Sequence, residues 1–271
     1  MKTQIEPAAL RLAINQVKFA TASDDSRPVL TGIHTEFDGE KATLAAADGF
    51  RLAVHTTPIS IGVSPKTEAI IPGRALAELD RLLVDQKEAV EIVINPEEGY
   101  VRFSLKDTEL VSQLLQGAFP NYRQLIPQKW DTRAVGSTAE FLRAASAASI
   151  LARDDKDIVR LQVTPGAESA PGKLLISTWG SWGESVIKLC AAVAGQPAKI
   201  AFNGKYLQEV LAVLPADGKV SLEFTTPSSP GVIRPVGLDN YVHVLMPMEV
   251  QWDKKWAMGV RNYLNRRREE K

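Results

Sequence analysis

The sequence predicts an α+β protein made of two tandem domains of one design, each with two helices packed on antiparallel sheet. Three observations carry this. The 271 residues suffice for two ordinary apolar cores. Amphipathic helix patterns alternate with strand patterns along the chain. The whole order then recurs after about 131 residues, which argues for duplication.

The first helix starts at Pro7, a residue suited to a first helical turn, and sets Leu10, Ile14 and Val17 on one face. Strand-like stretches follow at Val29–Phe37, Lys41–Ala47 and Ala69–Ile71, and a second helix after Pro72 carries Leu76, Leu79 and Leu83. In the second half Thr138–Leu151 is helical, and Val159–Val163 and Lys173–Ile176 are strand-like. Asn203 caps a helix containing Leu207, Val210, Leu211 and Leu214. Pro7 to Pro72 and Thr138 to Asn203 are both 65 positions, and the strand Val90–Ile94 reappears as Val220–Phe224. A unit of this kind hides one sheet face under its helices and turns the other to solvent. Proline and polar residues break the pattern near Ile126–Arg133, so the domains are expected at 1–130 and 131–250, with a distinct basic amphipathic tail at 251–271.

Acids and bases balance at 32 each, so any nucleic-acid surface is local and not a property of the whole chain. One cysteine, Cys190, excludes an internal disulfide and a multi-cysteine zinc site. No apolar run approaches the roughly 20 residues that span a bilayer, and the polar N-terminus lacks a signal-peptide segment. No membrane partner and a cytoplasmic location are therefore expected.

Four stretches together resemble the bacterial DNA polymerase III β subunit, the β sliding clamp. They are Ser26-Arg-Pro-Val-Leu-Thr-Gly, Ala46-Ala-Asp-Gly-Phe-Arg-Leu-Ala, Gly117-Ala-Phe-Pro-Asn-Tyr-Arg-Gln-Leu-Ile-Pro and Val244-Leu-Met-Pro-Met. Ile71-Pro-Gly-Arg and Phe202-Asn-Gly-Lys-Tyr-Leu, which open the later helices, add to the match over residues 3–250. The resemblance covers the middle and C-terminal domains of the family's three, without the first. It implies two tandem sliding-clamp domains, and a homotrimer if six domains are to close a ring. The family's rings close head to tail. By resemblance Ile150 and Leu151 belong to that subunit interface, facing an edge strand around Glu109–Gln113 that includes Val111. Read as residues alone, Ile150 and Leu151 fit an ordinary core equally well.

The family's helices also present basic side chains to the phosphates of duplex DNA without reading its bases. Arg11 and Lys18 lie seven apart on one helical face, as do Arg74 and Arg81, and Arg143 and Lys205 hold comparable places in the second repeat. Without the resemblance, such charges opposite an apolar stripe read as solvated surface.

The family's partner pocket, between its middle and last domains, takes a short peptide with apolar anchors from a DNA polymerase or another clamp-binding-motif protein. The resemblance places Leu30, Gly49, Phe50, Arg51, Leu52, Pro127, Val244, Met246, Pro247 and Met248 in its lining and Ser228 and Pro230 on its rim. Leu52, Val244 and Met246 also fit plain core. Phe50 stands where many β clamps have histidine and Glu249 where a basic residue often follows; these departures leave peptide preference open, and an acid at the pocket mouth disfavours acidic partner peptides.

The tail sets Trp252, Trp256, Val260, Tyr263 and Leu264 near one stripe, with Arg266, Arg267 and Arg268 on its other face. It fits packing on its own domain, contact with DNA or an acidic partner, or a cover over the pocket. No catalytic residue, metal ligand set or cofactor is expected. His34, His55 and His243 lack metal-ligand spacing, and neither a Walker loop nor a nucleophile elbow is present. Asp48-Gly49 reads as a turn, Asp24-Asp25 and Asp154-Asp155 as solvated helix ends, and Trp179 and Trp182 as hairpin packing in preference to a base-stacking platform. The expected function is a DNA-encircling processivity factor without bond chemistry. A non-encircling adaptor or competitor using the same pocket is the alternative, and a nuclease on this fold is a third, weaker reading.

Overall fold

The structure is a computed structural model that describes residues 1–24, 26–152, 156–167, 171–180 and 183–252. Asp25, Asp154, Asp155, Trp182 and the tail from residue 253 onward, all named above, lie outside the described residues. The described residues form two compact units, one of residues 1–126 with 239–243, the other of 127–238 with 244–252.

In the first unit β1 (Lys2–Ile5) leads into α1 (Pro7–Val17), which buries Leu10, Ala13, Ile14 and Val17 at helical spacing. Two long strands follow, β2 (Gly32–Ala47) and β3 (Arg51–Pro72), paired antiparallel with register shifts around Gly39. α2 (Gly73–Leu82) then packs with α1 over this pair. β4 (Val90–Asn95), β5 (Tyr100–Ser104) and β6 (Glu109–Gln113) complete a second sheet of order β1-β4-β5-β6. Its alternation shows in Val90, Ile92, Ile94, Val101 and Phe103, all buried with their neighbours less so. The motif at Gly117 closes the unit: Tyr122 is buried, and Arg123 donates to both Glu36 oxygens at 2.6 and 2.8 Å.

The second unit repeats this order. β7 (Thr132–Ser137) precedes α3 (Thr138–Ala152), then β8 (Ile158–Thr164), β9 (Gly172–Gly180), β10 (Gly183–Gly195) and β11 (Ala198–Asn203). α4 (Gly204–Ala212), β12 (Lys219–Phe224) and β13 (Gly231–Pro235) follow. The Asn203 side chain accepts from the Tyr206 backbone N–H at 3.1 Å, the cap that the sequence predicts. α1 and α2 begin 66 residues apart, and so do α3 and α4. Residues 67–72 of β3 stand 131 positions before β11, and residues 41–47 of β2 stand 131 before the first seven of β9. What the first unit builds as two long strands, the second cuts into four.

Two local expectations change. The stretch from Val29 does not begin as strand, because Pro28 starts a 3-10 turn over Pro28–Thr31 and extension begins at Gly32. The strand-like stretch Ala69–Ile71 is the end of a much longer strand, since β3 runs from Arg51 through Pro58 and Gly62 to Pro72.

Candidate functional site

In the first unit Gly49, Phe50, Arg51 and Leu52 of the assigned pocket residues lie at the β2–β3 turn, while Leu30 lies in the 3-10 turn Pro28–Thr31. Gly49 has φ +93°, and a Cβ there would meet the Arg27 guanidinium at 2.8 Å, so this position favours glycine on two counts. The Asp48 carboxylate holds the turn, accepting from the backbone N–H groups of Phe50 at 2.9 Å and Arg51 at 3.0 Å. Phe50 is left 60% exposed while Leu30 and Leu52 are buried.

Arg51 is buried and fully engaged. Its Nε donates to Asp48 Oδ2 at 2.9 Å, and another nitrogen donates to the Phe19 carbonyl at 2.5 Å, with the guanidinium 5.3 Å from the Phe19 ring centroid. Phe19 in turn stacks on His243 at 5.6 Å, and Tyr241 Oη lies 3.5 Å from His243 Nδ1. Burial, with the Arg51 charge adding to it, lowers the His243 pKa to about 3. Burial likewise lowers His55, hydrogen-bonded to Gln16 at 2.6 Å, to about 4. Both imidazoles are therefore neutral at pH 7, and His55 and His243 each pack against the Tyr241 side chain.

In the second unit Val244 is buried, Met246 is 44% exposed, and Pro247 and Met248 are half-buried. The Met248 N–H donates to the Ala201 carbonyl at 2.8 Å, which fixes the segment along β11 and leaves the flexible Met246 side chain presented. Ser228 is exposed in the β12–β13 turn, Pro230 is half-buried beside it, and Pro127 is half-buried where the unit begins. Trp252, the last described residue, packs against Leu175 with the Lys199 ammonium 5.6 Å from its ring.

The basic residues divide into two kinds. Arg11 Nε and Lys18 Nζ both reach the Asp80 carboxylate on α2, at 3.1 and 2.7 Å, and Arg81 pairs with Glu78 at 3.1 Å. Arg74, Arg143 and Lys205 are exposed and make no ion pair among the described residues. At the expected subunit interface Ile150 is 68% exposed in the last turn of α3, Leu151 is half-buried, and Val111 is 58% exposed on β6 near exposed Glu109. β6 has β5 as its sheet neighbour and lies at the end of its sheet. Two residues that the sequence does not flag stand out: Asp80, the common partner of α1's cations, and Leu125, an apolar side chain left 54% exposed. Neither has a local signal, since Asp80 meets residues 62 to 69 positions away.

Residues 4–121 match the family model described as DNA polymerase III beta subunit, central domain, and residues 123–249 match that of its C-terminal domain. The beta sliding clamp of Bacillus subtilis is 32% identical over 246 residues, 90% of this chain and 64% of the relative. That of Synechococcus elongatus is 30% identical over 250 residues, 92% of this chain and 65% of the relative. The crystal structure of the Bacillus subtilis sliding clamp aligns with a TM-score of 0.85 at 31% identity, covering 93% of this chain and 65% of that one. A Pseudomonas aeruginosa sliding clamp gives 0.84 at 27% identity, covering 92% and 67%. The chain thus spans just under two thirds of the length of the relatives named here from Bacillus and Synechococcus.

Proposed function

Because the chain belongs to the DNA polymerase III β-subunit family through its central and C-terminal domains, we propose that it is a sliding-clamp tether. In this reading it encircles duplex DNA and holds a polymerase or another DNA-processing partner by a short peptide. It performs no bond chemistry. The single observation that carries the reading is the match of both family models in order over residues 4–249.

The geometry supports each part. Phe50 and Met246 are large apolar side chains left in solvent, each within two residues of a buried apolar residue, Leu52 and Leu245, and such exposed apolar side chains suit a peptide's apolar anchors. Arg74, Arg143 and Lys205 are cations available to phosphates.

The internal repeat supports assembly from copies of this chain. In the first unit the segment 239–243 lies on the edge of β3, where the Thr56 N–H donates to the Asn240 carbonyl at 2.8 Å. The repeat counterpart of that edge is Ile187–Cys190 on β10. Its known strand neighbours are β9 and, at residues 192–195, β7. Together with Glu140, Arg143 and Ala144 it borders an open cavity of about 390 Å³. The counterpart of Tyr241–Leu245 is β6, the end strand of its sheet. Head-to-tail addition of β6 to β10 closes at three copies if the ring holds six domains.

Two measurements test the reading. Light scattering is expected to give three times the 29.6 kDa chain mass, and a labelled peptide with apolar anchors is expected to bind, with Met246→Asp abolishing that binding. A monomer that binds the peptide supports the adaptor instead, and absence of peptide binding removes the tether.

A further inference from the structure

Asp80 is an acidic residue in the middle of a helix pair whose expected role is to face phosphates. It is 9% exposed, so its charge does not sit in bulk water. Arg11, Asn15 and Lys18, at positions i, i+4 and i+7 of α1 and its end, all converge on it: Arg11 Nε at 3.1 Å and Asn15 Nδ2 at 2.8 Å on Oδ1, and Lys18 Nζ at 2.7 Å on Oδ2. Burial raises the Asp80 pKa, but the hydrogen bonds and charge of Lys18, with Asn15 and Arg11, outweigh it and hold the group below its usual 3.8. Asp80 is ionised at neutral pH.

We infer that Asp80 tunes DNA contact by withholding Arg11 and Lys18 from the phosphates, so that the first unit grips duplex DNA less than its count of basic residues implies. The inference rests on the DNA-encircling reading. A cation already 2.7 Å from a partly buried carboxylate gains less from a phosphate than a solvated one does, because it must share or break that pair to make the contact. Arg74, one helical turn and more from Asp80 on the same helix and without an ion pair among the described residues, carries no such restraint. A clamp that moves along DNA benefits from contacts that hold without fixing position. Withholding two cations by an internal carboxylate lowers affinity while the helices keep their packing.

The test is fluorescence anisotropy of the full chain with a labelled duplex of about 30 base pairs, each phosphate contact contributing roughly 0.9 to the slope of log affinity against log salt. Asp80→Asn is expected to tighten binding at 50 mM salt and to steepen the slope by one to two contacts. Its gain then shrinks about three- to fourfold per released contact between 50 and 200 mM salt. Lys18→Gln is expected to weaken binding several-fold more in the Asp80→Asn background than in the native one. This coupling separates release of the lysine from simple loss of a negative charge. If Asp80→Asn does not fold, the comparison of Arg74→Gln with Arg11→Gln serves, and the former is expected to weaken binding more. A folded Asp80→Asn protein with native affinity and slope overturns the inference alone, as does Arg11→Gln matching Arg74→Gln. A native chain without salt-dependent affinity for the duplex overturns the DNA reading itself and this inference with it.

Discussion

Arg51 donates a 2.5 Å hydrogen bond to the carbonyl of Phe19 while its guanidinium lies 5.3 Å from the centre of the same residue's ring. One side chain therefore ties the β2–β3 turn to the end of α1. Its charge is matched by Asp48, and both side chains are about nine-tenths buried. Arg51→Ala leaves a buried carboxylate without its partner, so a loss of roughly 3–5 kcal/mol is expected by urea denaturation. Arg51→Lys is expected to recover only part of it, since an ammonium cannot bridge Asp48 and Phe19 with the same planar fork.

The two neutral histidines set a pH dependence. His55 and His243 have folded pKa values of about 4 and about 3 against an unfolded value near 6.5. The unfolded chain binds the extra protons first as pH falls. Their contribution is present above pH 6.5 and is lost progressively as pH falls from there toward 4 and 3. Asp80 and Glu36 act in the same direction at lower pH, because their folded values lie below 3.8 and 4.5. Melting temperature is expected to be flat from pH 7 to 8.5 and to fall below 6.5. His55→Gln is expected to reduce the fall between pH 6.5 and 4, and an unchanged profile in that variant contradicts this assignment.

Gly195 joins β10 to β11 at φ +89°, and a Cβ there would lie 1.8 Å from the Asp131 carbonyl oxygen. Backbone and not a movable side chain occupies the space. Gly195→Ala is expected to cost more than 2 kcal/mol, combining the unfavourable φ with displacement of the 130–132 segment. Chemical denaturation followed at the tryptophans measures it.

Exposed Ile150 and Val111 offer the cleanest separation of folding from assembly. Each is more than half exposed, so Ile150→Glu and Val111→Glu are expected to shift stability by under about 0.5 kcal/mol. The mass in solution is expected to fall toward that of a single chain. A native mass for both variants removes these two residues from the interface.

Much of the fold was legible because its signals are local. Pro7 and Asn203 mark helix starts by their own backbone chemistry, Asp48-Gly49 marks a tight turn, and equal helix spacing exposes the duplication. The course of β3 was not, since its 22 residues contain Pro58 and Gly62 and persist by pairing with β2 across register shifts. The clustering of Gly49, Phe50, Arg51 and Leu52 follows from adjacency, whereas the Phe19–His243 stack depends on residues 224 positions apart. Lys18 reads as free surface from its helical position, and only tertiary structure reveals Asp80 beside it.

Retention on DNA of defined topology tests the encircling claim most directly. Protein assembled on a nicked circular duplex in moderate salt is expected to stay bound through gel filtration and to be lost when a single cut makes the circle linear. Equal retention on circular and linear DNA, or release from both, contradicts a ring that holds DNA by passing around it.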